Sequence, residues 1–143
     1  MEKFYSLEPE VAGELGQKTK LDSTVHPPLA QKLHFTFTGW LGDELLECFP
    51  CYIVTEALML EINKIQPSPT GYLLDDVVIE ISEQFKDIYP NKTLPPFKWL
   101  KVTGEAGKDD FGISSNNLLI VSERILNILK TFQINECEVD EWK

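Results

Sequence analysis

A short grammar recurs along this chain and constrains its fold more than any other feature. Ile53-Val54-Thr55-Glu56 runs into Ala57–Ile65, and Ile120-Val121-Ser122-Glu123 runs into Arg124–Phe132. In each copy a β-branched pair, which favours extended backbone, meets a hydroxyl residue and then a glutamate. The hydroxyl is placed to cap a helix, and the glutamate suits the positive end of the helix dipole. The apolar residues that follow in the second copy, Ile125, Leu126, Ile128, Leu129 and Phe132, form one broad helical stripe. A weaker echo is Ile81-Ser82-Glu83 ahead of Gln84–Ile88. The copies are unequally spaced, so this is a local device used again and not a solenoid repeat.

Around these units the chain alternates. Lys3–Leu7 has the pattern of a short strand ended by Pro9, and Leu33, Phe35 and Phe37 share one face of a half-buried strand, with His34 on the wet side. Asp76–Ile81 and Pro95–Val102 are further strands, and Ile134–Asp140 alternates apolar with acidic residues as a strand with one solvated face would. Gly39–Glu44 turns the chain, and Asp43 is placed to cap a short helical stretch over Glu44–Cys48. Gln66–Gly71 is a turn, and Gly104–Ser115 a polar loop. Glu10–Pro28, with Gly13, Gly16, Ser23 and the Pro27-Pro28 pair, has no period and is expected as an irregular arm or loop. The expected fold is α+β: one domain over residues 1–143, with two main helices on a small, mostly antiparallel sheet.

Charge decides the class of partner. The 143 residues hold 13 Lys plus Arg against 23 Asp plus Glu, a net −10. Both halves share it, 5 basic against 10 acidic residues up to Gly71 and 8 against 13 beyond. Such a field repels phosphate backbones and anionic lipid heads and attracts basic proteins. No apolar run approaches the ~20 residues of a membrane helix, and the start has no signal-peptide pattern. Three cysteines without a signal fit a reducing cytoplasm.

Few residues offer chemistry. Cys48-Phe49-Pro50-Cys51 is a C-x-x-C, but the helix behind it begins only past Thr55, so the usual thiolate stabilisation is missing. A zinc site would need Cys48, Cys51, Cys137 and either His26 or His34, and no second ligand pair is present. Structural cysteines are the expectation, with redox and zinc roles as alternatives, and no cofactor or metal is expected. Gly104–Lys108 lacks the spacing of a phosphate-binding loop, and no nucleophile elbow occurs. Carboxylates cluster at Asp43-Glu44 with Glu47, at Asp75-Asp76, at Asp109-Asp110 and at Glu136, Glu138, Asp140 and Glu141. Beside aromatics such as Trp40, Trp99, Phe111 and Trp142 they make a protein-binding face, unless Trp40 and Trp99 are core.

Several strings together resemble an α+β family of bacterial immunity proteins encoded beside polymorphic toxins. These are Phe4-Tyr5 through Gly16, Gly39–Glu47, Pro50 with Ile53–Glu56, Asp109–Ile113, Leu119–Glu123 and Cys137–Val139. The resemblance implies a small cytoplasmic, non-catalytic protein that binds and neutralises a cognate toxin, such as a basic nuclease domain. The expected partner-binding residues are Trp40, Asp43, Glu44, Asp109, Asp110 and Phe111. The alternatives are a scaffold that self-associates through an exposed strand and, less favoured, a carboxylate- or metal-dependent enzyme.

Overall fold

The computed structural model describes residues 2–22, 24–25 and 29–143. The elements up to the first helix are β1 (Phe4–Glu8), β2 (Gly13–Leu15), β3 (Lys20–Asp22), β4 (Leu29–Lys32), β5 (His34–Phe37), β6 (Leu45–Cys48), β7 (Cys51–Thr55) and α1 (Glu56–Ile62). There follow β8 (Tyr72–Asp75), β9 (Val78–Ile81), α2 (Glu83–Ile88), β10 (Phe97–Val102), β11 (Phe111–Ile113), β12 (Leu119–Ser122), α3 (Glu123–Leu129) and β13 (Glu138–Trp142).

All three hydroxyl–glutamate sequences fall where a strand hands over to a helix. The Thr55 hydroxyl accepts the Leu58 N–H, and the Ser82 hydroxyl accepts the Phe85 N–H. Ser122 occupies the same position, but its hydroxyl is turned away to donate to Asp110. The helices hold 7, 6 and 7 residues, so the weak echo makes a helix of the same rank and the expected pair becomes three. Segments this short are not stable alone. They are held by the apolar faces they bury: Leu58, Met59 and Ile62 on α1, Phe85 on α2, and Ile125, Leu126 and Leu129 on α3.

The α+β class stands, but the one small sheet is replaced by four among the described residues. Their orders are β11-β12-β1-β13, β6-β7-β10-β8, β2-β5-β9 and β3-β4. Every ladder is antiparallel except β5–β9. The β6–β7–β10–β8 sheet divides two cores by simple alternation. Tyr52, Val54 and Leu100 face α1, α3 and the β1 sheet, while Cys51, Ile53 and Trp99 face Phe35, Phe37 and Phe85. Packed on both faces, β7 is buried along its whole length.

Other segments depart from expectation for local reasons. Leu45–Cys48 is strand and not helix, because Leu45 and Leu46 must feed opposite cores while pairing with β7. Part of the supposed arm is ordered: β2 joins β5, and β3 pairs β4. Ser23 and His26–Pro28 lie outside the described residues. The polar loop contains β11, and the last strand begins at Glu138 and not Ile134. Gly71, with φ +92°, lets β8 start beneath the Phe111 carbonyl, where a Cβ would sit 2.2 Å from that oxygen.

Candidate functional site

Asp43 and Glu44 lie in the turn before β6, and their surroundings explain both. Asp43 is fully buried, and its carboxylate accepts the backbone N–H groups of Asn135 (2.9 Å) and Glu136 (2.7 Å). Glu10, also buried, accepts the N–H groups of Leu41 (2.7 Å) and Asp43 (3.2 Å). Glu44 accepts the Thr55 hydroxyl (3.0 Å) and the Gln133 N–H (3.1 Å). Asp43 and Glu44 thus clasp the 41–44 turn to the 133–136 segment, and Glu10 ties the same turn to the chain after β1. Burial pushes the Asp43 carboxyl up; its two N–H bonds oppose that, and the charges of Glu136 and Glu44 add to it. The Glu10 carboxyl is raised for the same first reason.

Asp110 forms a second clasp of different chemistry. Arg124 meets it with a two-pronged contact, Nε to Oδ1 at 2.8 Å and Nη2 to Oδ2 at 2.7 Å. The Ser122 hydroxyl donates at 2.7 Å and the Thr70 N–H at 2.9 Å. Burial acts to raise the Asp110 carboxyl, but these donors outweigh it and hold the group at about 2. The free arm of Arg124 reaches the Pro67 carbonyl at 2.8 Å.

The two aromatic candidates are core residues. Trp40 is buried, donates its indole N–H to the Asp43 carbonyl at 2.9 Å, and packs edge-on against Phe37 and Phe97. Phe111 is buried with its ring 5.0 Å from that of Tyr72. Asp109 is half-buried and accepts the Glu105 N–H. The six residues expected to form one binding face are therefore shared between two internal clasps that tie down different segments. Burial corrects the expectation of exposed anchors at Trp40 and Phe111 and of steering charges at Asp43 and Asp110.

A different set of acids does converge at the surface. The β1–β13 ladder sets Glu8 opposite Glu138 and Ser6 opposite Asp140, which puts the three carboxylates on one face. A hydrogen bond with Glu138 and its charge, then burial and Asp140, push the Glu8 carboxyl up. Burial and the nearby Glu8 charge raise Glu47. Among the described residues no Lys or Arg lies within ion-pair distance of these four. Glu138 and Asp140 stood out in the sequence; Glu8 did not, although extending the Lys3–Leu7 alternation by one residue finds it.

The cysteines carry no activated thiol. Cys48 and Cys51 face each other across the β6–β7 turn, both buried, and desolvation pushes their thiols up to about 11 and about 12. Cys137 is pushed up to about 12. Thiols so placed stay protonated and unreactive. His34, expected on a wet face, is buried: Nδ1 accepts the Lys18 N–H, and Nε2 stands 2.8 Å from Glu80 Oε1. His26 lies outside the described residues. Among the described residues, no three of His, Cys, Asp and Glu are grouped as metal ligands.

One cleft of about 300 Å³ opens where the β7–β10 ladder ends, lined among others by Phe49, Tyr52, Leu73, Trp99 and Lys101. Lys101 is already engaged, its ammonium 4.4 Å from the Trp99 ring centre and 3.0 Å from Asp75. The cleft is at the small end of ligand-pocket volumes. No family model, curated protein or solved structure matches this chain.

Proposed function

We propose that this chain is a non-catalytic, immunity-type protein that neutralises a basic toxin domain in the cytoplasm, docking through the acidic face of Glu8, Glu47, Glu138 and Asp140. The observation that carries this reading is the Glu8–Glu138 pair. The two carboxyls stand directly opposite on neighbouring strands, where like charges destabilise a ladder whenever both are ionised, and among the described residues no Lys or Arg forms an ion pair with either. A partner that inserts Lys or Arg between them removes that repulsion on binding. The resemblance to immunity proteins and the net −10 charge support the same reading.

The test is association with the product of the adjacent gene. Co-expression should relieve its toxicity, and salt should slow association, because steering between exposed charges is screened. Glu138→Lys with Asp140→Lys should slow association further while leaving the fold intact. Full toxicity on co-expression, or an association rate indifferent to both salt and the double reversal, refutes the proposal.

A further inference from the structure

The two four-stranded sheets have four terminal strands, and three of them are guarded. The outer edge of β6 is bridged by Glu10, and that of β11 by Glu105. The third, β13, presents Glu138, Asp140 and Glu141, charges that repel another strand. The fourth, β8, has no such protection among the described residues. It is Tyr-Leu-Leu-Asp, with Leu73 61% and Leu74 38% exposed.

Pairing with β10 fixes which of its backbone groups face outward. Thr103 donates its N–H to the Gly71 carbonyl, so Leu73 and Asp75 also turn their backbone groups toward β10. The N–H and C=O of Tyr72 and Leu74 then point outward, and among the described residues they have no backbone partner on that side.

We propose that β8 pairs antiparallel with β8 of a second copy of this chain, across a two-fold axis through Leu73. In that register Tyr72 and Leu74 each exchange both backbone hydrogen bonds with Leu74 and Tyr72 of the other copy. Leu73 faces its own counterpart as the close, non-hydrogen-bonded pair. Leu74 covers the Tyr72 ring of the other copy, an aromatic–aliphatic pair of the kind that stabilises sheets. Asp75 falls opposite Gly71, so no carboxylate meets another. Shifting the register by one pair in either direction fails. One shift would use the Thr70 carbonyl, already accepting from Phe111, and the other the Asp76 N–H, already given to Asp75 Oδ1. The occupant is a second copy because this register is self-complementary on both faces of the strand. The result is one eight-stranded sheet with isologous symmetry.

This inference does not rest on the toxin reading, and salt separates the two. Each copy carries −10, so screening favours the dimer while it weakens docking of a basic partner. Sedimentation equilibrium of the full chain, from micromolar to near-millimolar concentration, should show twice the 16.3 kDa mass, more so at high salt. Leu73→Lys should abolish the dimer while its circular dichroism stays native. Leu73→Cys should form an intermolecular disulfide with oxidised glutathione, releasing two equivalents of reduced glutathione per bond formed. Leu74→Cys should not, because its neighbour across the interface is Tyr72. A monomer at every concentration and salt overturns the proposal. So does a dimer that survives Leu73→Lys, or one in which Leu74→Cys cross-links as well as Leu73→Cys.

Discussion

Asp43 and Asp110 are both buried aspartates that each hold distant segments together, yet they titrate in opposite directions. Asp110 meets a guanidinium, a hydroxyl and one backbone N–H, and its carboxyl falls to about 2. Asp43 meets backbone N–H groups alone, beside Glu10, Glu44 and Glu136, and its carboxyl rises. Hydrogen bonds satisfy either group, but only at Asp110 do the donors, the guanidinium first and then the Ser122 hydroxyl and the Thr70 N–H, outweigh the desolvation of the charge. The Asp110 clasp stabilises its ionised carboxyl, whereas the Asp43 clasp holds one that burial raises.

Deleting each carboxylate should separate the two aspartates most. Asp110→Ala strands a partly buried guanidinium and should cost about 3–5 kcal/mol, the loss expected when one partner of a buried pair is removed. Asp43→Ala leaves two backbone N–H groups unpaired but also removes a strained charge, so the smaller loss of about 1–3 kcal/mol is expected. Urea unfolding monitored by tryptophan fluorescence ranks the two; equal costs would mean that the Arg124 contact adds nothing.

Acid should divide them next. The folded-state carboxyl of Asp110 lies below its unfolded value of 3.8, so its contribution is complete above that value and is lost as pH falls toward 2. Asp110→Asn should therefore flatten the acid limb of the stability curve by roughly 2 kcal/mol. The carboxyls of Asp43 and Glu10 lie above their unfolded values, so lowering the pH from neutrality protonates the folded state first and stabilises it. Asp43→Asn should remove part of that gain, measured as midpoint against pH. The smallest effect belongs to the surface: Glu138→Gln relieves the repulsion at Glu8 and should raise the melting temperature slightly.

The helices were legible because their signal is local. Thr55 and Ser82 cap within three residues, and no distant contact can hide that. Ser122 shows the limit: it has the same sequence environment, but Asp110 claims its hydroxyl from a neighbouring strand. The sheets were harder to read. Leu45–Cys48 is as apolar as a short helix, and only pairing with β7 makes it strand. Asp43 and Asp110 looked like exposed acids because their partners, the 135–136 amides and Arg124, lie elsewhere in the chain. Leu73 and Leu74 followed a turn and gave no period, so the unguarded edge had no signature in the sequence.

The position of β1, between β12 and β13, sets a timetable for folding. Tyr5 contacts Glu123 from 118 residues away, and β13 follows later still. During synthesis β1 must wait for β12 and β13, made more than a hundred residues later, while β6, β7 and β10 can already assemble. Closing so long a loop is slow, and an unpaired apolar strand is open to wrong partners meanwhile. The core around Tyr52 and Val54 is thus completed only once β12 and β13 have been made, and truncation before β12 should leave β1 with no strand to join.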